Sequence, residues 1–170
     1  MTESVTTYRF VVDAMLGKMA KWLRIMGYDT IFTFLKSQEE VKSYVQSGRT
    51  VVTRARRWCH IDGVICIKSN YVREQLAELF SAMKLECDPE SFLARCAYCN
   101  RELEECSREE AYGKVPEYVW HNTDDFFKCS ECGKIYWSGS HVSRMLDHLR
   151  DWLGISKIVK AKEKGGTHHE

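Results

Sequence analysis

Tyr8-Arg9-Phe10-Val11-Val12-Asp13 reads as a short buried strand that ends in an acid. Residues 16–26 follow with helical spacing: Leu16, Met19, Ala20, Leu23 and Met26 share one face. Gly27 is a fitting end to that helix. The alternation then repeats. Residues 29–34 (Asp-Thr-Ile-Phe-Thr-Phe), 50–53 (Thr-Val-Val-Thr) and 63–67 (Gly-Val-Ile-Cys-Ile) read as further strands. A helix over 38–46 is expected between the second and third strands, capped by Ser37, and another over 72–83, capped by Ser69 or Asn70. Strands alternating with helices through short links indicate an α/β fold with a parallel sheet flanked by helices.

The alternation stops near Leu85. Pro89 breaks regular structure and marks a linker. Beyond it stand two matched pairs, Cys96-Ala97-Tyr98-Cys99 and Cys129-Ser130-Glu131-Cys132, with 29 residues between them. Two close thiolate pairs suit the edges of one tetrahedron, so Cys96, Cys99, Cys129 and Cys132 are read as the shell of a structural Zn²⁺. Four Cys ligands leave no open position for substrate. A thiol redox pair is the weaker alternative, since redox chemistry needs only one such pair. Gly133 suits the tight turn after the second pair. Short strands between the knuckles fit a small zinc ribbon. A C-terminal helix over 141–153, capped by Ser140, shows an apolar stripe of Val142, Met145, Leu149 and Trp152. The expected organisation is 1–88 for the α/β domain, 89–154 for the ribbon with its helix, and a lysine-rich tail over 155–170.

Composition narrows the function classes. Of 170 residues, 44% are hydrophobic and 29% charged, as in globular proteins that face water. No apolar run reaches the ~20 residues of a membrane helix, and no signal peptide is expected. Cys59, Cys66, Cys87 and Cys106 show no disulfide framework, and Cys66 reads as a small buried hydrophobe. A reducing, cytoplasmic location is the expectation. The net charge is +1, which excludes a strongly basic nucleic-acid coat but not a local basic groove.

The segment 10–30, Phe-Val-Val-Asp13-Ala-Met-Leu-Gly17-Lys18-Met-Ala-Lys21-Trp-Leu-Arg24-Ile-Met-Gly27-Tyr-Asp-Thr30, closely resembles the opening of the Mut-seven carboxy-terminal RNase family. The likeness continues at Gly48-Arg49-Thr-Val-Val-Thr53-Arg54, at Val115-Pro116-Glu-Tyr-Val and at Ile135-Tyr136-Trp137-Ser-Gly139-Ser140-His141. It covers roughly residues 8–150. The resemblance implies a PIN-like nuclease domain followed by a zinc ribbon, and RNA hydrolysis through carboxylate-bound Mg²⁺ or Mn²⁺.

Asp13 matches the first acid of that family. Standing alone, it could equally cap the helix that follows. The motif after the third strand is Thr-Arg-Asp in the family, but here it is Thr53-Arg54-Ala55, and alanine cannot ligate a cation. Glu39 and Glu40 are candidate second acids; on a helix start they are more commonly partners of its dipole. Asp124 and Asp125 are further possible recruits. The resulting expectation is a metal-dependent ribonuclease, weakened or inactive, with a non-catalytic RNA- or protein-binding module as the alternative. Lys18, Arg24, Arg54, His141 and Arg144 are the candidate RNA contacts, while Lys21 reads as a solvated residue. His141 could also pack between ribbon and nuclease domain. Trp120, Tyr136 and Trp137 could stack on bases, or fill the thin core of the ribbon.

Overall fold

The computed structural model describes residues 8–88 and 91–153, with the His141 side chain excepted. Pro89 and the tail over 155–170 lie outside the described residues. The first unit contains β1 (Arg9–Asp13), α1 (Gly17–Ile25), β2 (Asp29–Thr33), α2 (Gln38–Gln46), β3 (Thr50–Thr53), β4 (Val64–Cys66) and α3 (Val72–Met83). The strands form a parallel sheet in the order β2-β1-β3-β4. Strand residues alternate between the two faces, and both faces are covered. Phe10 and Val12 point into a core with Leu16, Met19 and Leu23 of the α1 side and Leu76 and Leu79 of α3. Val11 and Val51 point the other way, toward Val41 of α2, Leu35 and Trp58.

Local details depart from the sequence reading at two helix starts. Residues Ala14–Leu16 form a 3₁₀ turn, so α1 begins at Gly17 rather than at Leu16. α3 has Tyr71 at its N-cap, without a side-chain cap. Ser69 contributes instead by accepting the Tyr71 amide at 3.1 Å. At α2 the expected cap holds: Ser37 Oγ accepts from the Glu40 amide at 3.2 Å.

The cysteine reading needs one correction. Cys59 and Cys66 form a disulfide, with Cα atoms 5.7 Å apart, and Cys66 is only half-buried. A second 3₁₀ turn, Arg56–Trp58, folds the chain back so that these two residues meet at the end of β4. That meeting depends on the turn, which a seven-residue spacing alone does not announce.

The ribbon consists of β5 (Glu104–Cys106), α4 (Arg108–Ala111), α5 (Glu117–Asn122), β6 (Phe126–Lys128) and β7 (Ile135–Trp137), with antiparallel order β5-β6-β7. Its thin core is Cys106, Ala111, Val119 and Phe126, flanked by Trp120 and Trp137. α4 and α5 are too short to show a helical period. α4 is instead nucleated by a capping box between Ser107 and Glu110. α6 (Ser140–Leu153) leaves the ribbon and returns to the first unit. Leu149 is fully buried in the α/β core, and Trp152 meets Trp22 edge-on at 5.1 Å.

The ribbon docks on the outer edge of β2. Thr30 is fully buried, and its backbone amide donates to Asn100 Oδ1 at 2.9 Å. Its carbonyl accepts from Arg24 Nε at 2.9 Å. Asn100 Nδ2 donates to Asp29 Oδ1 at 2.7 Å, and Arg49 Nη2 pairs with Asp29 Oδ2 at 2.7 Å. An exposed sheet edge is thereby converted into a satisfied interface.

Burial pushes the Asp29 carboxyl up, but hydrogen bonds from Arg49 and Asn100 together hold it below the usual carboxylate range. A depressed carboxyl contributes stability that is full above its unfolded pKa of about 3.9 and fades as pH falls through the folded value. Asp29→Asn should therefore cost about 2 kcal/mol at neutral pH. Urea midpoints of this variant should fall less steeply below about pH 4 than those of the parent. Parallel pH curves for the two proteins would remove Asp29 from this role.

Candidate functional site

The two Cys-x-x-Cys knuckles fold alike. The Cys96 amide donates to the Arg101 carbonyl and the Asn100 amide to the Cys96 carbonyl, at 2.8 and 2.9 Å. In the second knuckle the Cys129 amide donates to Lys134 and the Gly133 amide to Cys129, at 3.0 and 2.9 Å. Each turn closes on a left-handed residue, Asn100 at φ 64° and Gly133 at φ 70°. Asn tolerates that conformation better than most side chains. The four Sγ atoms all lie within 4.8 Å of one another.

A Zn–S bond of about 2.3 Å implies a tetrahedral S···S edge of about 3.8 Å. Cys96 Sγ and Cys132 Sγ stand 3.8 Å apart. The donor set and spacing therefore fit a thiophilic metal such as zinc. Tyr136 Oη lies 3.1 Å from Cys96 Sγ. Burial pushes the Cys96 thiol up, yet hydrogen bonds from Tyr136 and from the Cys99 and Tyr98 backbones bring it down to about 7. Tyr136 is thus spent on the knuckle. Trp120 is spent likewise, its Nε1 donating to the Arg108 carbonyl at 2.9 Å.

Asp13 occupies the opposite end of the sheet. Register places Asp13 beside Thr33 on β2, while Thr53 of β3 lies beside Cys66 of β4. All four stand at the carboxyl edge, where parallel sheets bind ligands. Asp13 is 4% exposed. Its Oδ1 accepts the Ala14 amide at 2.8 Å, and its Oδ2 accepts from Thr53 Oγ1 at 2.6 Å. Thr53 Oγ1 in turn accepts the Ala55 amide at 3.0 Å. Asp13 thus caps the turn that leads into α1 and braces the turn after β3.

Glu39 and Glu40 lie in the first turn of α2, which follows β2 at this same carboxyl edge. Among the described residues, the four cysteines are the one group of three or more His, Cys, Asp or Glu with ligand atoms close enough to share an ion. Glu40 Oε2 accepts the Lys36 amide at 2.9 Å. Hydrogen bonds from its own amide and from Ser37 hold the Glu39 carboxyl below its usual range. Both acids serve the start of α2. Asp124 pairs with Arg108 at 2.5 Å in the ribbon, and Asp125 is exposed. Mg²⁺ is commonly held by one or two carboxylates with water and substrate phosphates, and here Asp13 is a single buried carboxylate that already accepts two hydrogen bonds.

The candidate RNA contacts divide between the two ends. Lys18 is exposed in the first turn of α1, at the Asp13 end. Arg54 follows β3 at the same edge, with Nη2 donating to Asn70 Oδ1 at 2.5 Å. Arg24 is engaged within the protein. Its guanidinium donates to the Thr30, Ala97 and Tyr98 carbonyls, and burial lowers its pKa from the ordinary value. It ties the ribbon to β2 and leaves little for a phosphate. Arg144 is exposed between Val142 and Leu146, which line the same cavity as Gly27 beyond the end of α1. α1 runs about 14 Å away from the Asp13 edge, so Arg144 belongs to the far end. The His141 side chain lies outside the described residues.

Sequence reading missed the apolar surface at the Asp13 edge. Phe34, Met15 and Tyr71 are 58%, 60% and 72% exposed, and Phe32 lies against Gly17. Each follows or precedes a strand end at this edge. Exposed aromatic rings beside cations are what single-stranded nucleic acid stacks on. Strand ends followed by large apolar residues were the available signal.

If the knuckles hold zinc, the purified chain carries about one zinc per molecule. Cys99→Ser should reduce that content to near zero in elemental analysis, and chelation should unfold the ribbon while the α/β circular dichroism persists. Full zinc content in the variant would exclude the four-cysteine shell.

Comparison with known proteins accords with this architecture. The family model described as the Mut7-C RNAse domain matches residues 8–149. A human protein, exonuclease mut-7 homolog, is 50% identical over 28 residues, which is 16% of this chain and 3% of that protein. No solved structure matches significantly. With the family model spanning the α/β unit, the ribbon and most of α6, the chain belongs to the Mut7-C RNAse domain family.

Proposed function

We propose that this chain binds RNA at the carboxyl edge of its parallel sheet, and that its divalent-metal centre is reduced to Asp13, so that hydrolysis of RNA is weak or absent. The observation that carries this reading is that Asp13 belongs to no group of three or more metal-ligating side chains among the described residues. Asp13 is buried against Thr53, and the next motif position is Ala55. Lys18 and Arg54 supply charge for phosphates, and Phe34 and Tyr71 supply rings for bases. Membership in an RNase-domain family supports RNA as the partner. Zinc at the four cysteines is structural in this reading, and no described helix is long and apolar enough to cross a membrane.

The competing reading is a working Mg²⁺- or Mn²⁺-dependent ribonuclease that uses Asp13 with Glu39 or Glu40. The helix-start hydrogen bonds of both glutamates weigh against it.

Ala55→Asp separates the two. Incubated with single-stranded RNA and Mn²⁺, the parent should cleave little, and Ala55→Asp should cleave at least about tenfold faster, as expected when a second carboxylate completes a metal site. Cleavage by the parent that disappears in Asp13→Asn would overturn the proposal. Binding should weaken with salt, and Lys18→Ala should reduce the log–log slope by about 0.7. An unchanged slope would remove Lys18 from the interface.

A further inference from the structure

A cavity of about 520 Å³ opens beyond the ends of β3 and β4, lined by Arg54, Arg56, Cys59, Cys66, Ile67 and Lys68. Three of these six are cations, and none is a carboxylate. Glu78 lies close to the wall, but its two oxygens accept the Lys68 and Ser69 amides at 2.8 and 2.9 Å. Its charge is thereby drawn toward the backbone behind the cavity. Arg54 Nε is buried and has no hydrogen-bond partner among the described residues. The outer part of the Arg54 guanidinium lines the cavity, and a phosphate oxygen is the acceptor that a guanidinium fork fits best.

The walls are fixed before any ligand arrives. The Cys59–Cys66 disulfide ties the 3₁₀ turn bearing Arg56 to the end of β4, from which Lys68 extends. Asn70 holds the outer nitrogen of Arg54. Backbone walls that are already placed, together with the held Arg54, reduce the freedom lost on binding. Cys66 is the register partner of Thr53, which holds Asp13. The cavity is therefore two strand spacings from Asp13, roughly 10 Å along the sheet edge.

Charge selects among phosphates. An internal phosphodiester carries a single charge, whereas a monoester carries about −1.5 to −2 at neutral pH. Three cations without a lining acid favour the more highly charged group. We infer that this cavity receives the terminal phosphate monoester of an RNA strand, with the adjoining nucleotides running along the sheet edge toward Asp13. The inference rests on the RNA-binding reading of that edge. It adds Arg56 and Lys68 to the interface and makes the strand end a determinant of recognition.

The test uses the full chain and one oligoribonucleotide sequence in three forms: 5′-phosphorylated, 3′-phosphorylated, and hydroxyl at both ends. Fluorescence anisotropy should show one phosphorylated form binding tighter than the hydroxyl form by roughly fivefold or more, and which form gains identifies the end. Inorganic phosphate should erode that advantage before it displaces the hydroxyl form. Lys68→Ala and Arg56→Ala, both at exposed side chains, should abolish the advantage. Lys134→Ala, on the ribbon, should keep it. Measurable but equal binding of all three forms overturns the terminal-phosphate site and leaves the RNA-binding reading standing. An advantage that survives both Lys68→Ala and Arg56→Ala also overturns it. Failure of every form to bind removes both readings.

Discussion

Thr30 sits on the outer edge of β2, where its amide and carbonyl have no further strand to bond, and the placement of the ribbon follows from how these two groups are satisfied. Asn100 answers the amide and Arg24 the carbonyl. Asn100 can do so because the knuckle turn puts it in the left-handed region just past Cys99. Arg24 also reaches the Ala97 and Tyr98 carbonyls inside the same knuckle. The fold of the cysteine turn and the closure of the sheet edge are therefore one problem with one solution. Asp29 and Arg49 extend it to the start of β3. A buried backbone group left open would cost about 1–3 kcal/mol, a large share of the stability of a domain this size.

This anchoring decides where chemistry can occur. The ribbon covers the amino-terminal end of β2, and the first turns of α6 stand near Gly27 at that same end. Among the described residues the carboxyl edge carries Asp13 on β1, Phe34 after β2 on one side, and the Arg54–Lys68 cavity with Tyr71 after β4 on the other. The well-built metal site and the ligand edge are thus at opposite ends of the sheet. A metal such as zinc on the four cysteines would hold architecture at the end of the sheet away from Asp13. The disulfide is a second staple, on the ligand side, and it shapes the basic cavity.

Much of this was legible in the chain. Apolar spacing marked β1, α1 and α3, because a helix or strand must bury one face and the period of that face is written in the residue order. The cysteine pairs announced their own partners, since a tetrahedral shell needs four thiolates and there are two matched turns. The contacts of Arg24 were not legible in the chain, for a physical reason. A cation on a helix surface looks the same in sequence whether it meets a phosphate or three carbonyls. Cys66 was misread because its partner is chosen by the Arg56–Trp58 turn, and α4 and α5 because four to six residues contain no full period.

The sequence by itself determined the α/β alternation, the cysteine shell, and the absence of an acid at position 55. Those properties are local or depend on residue type alone. Only the tertiary structure decided that Asp13 is held by Thr53 and the Ala14 amide, that Arg24 bonds three carbonyls, and that Arg54, Arg56 and Lys68 share one cavity. Such facts depend on which strand ends lie side by side. The order β2-β1-β3-β4 sets that adjacency, and it arises from burying both faces of the sheet at once, a requirement that no single segment expresses.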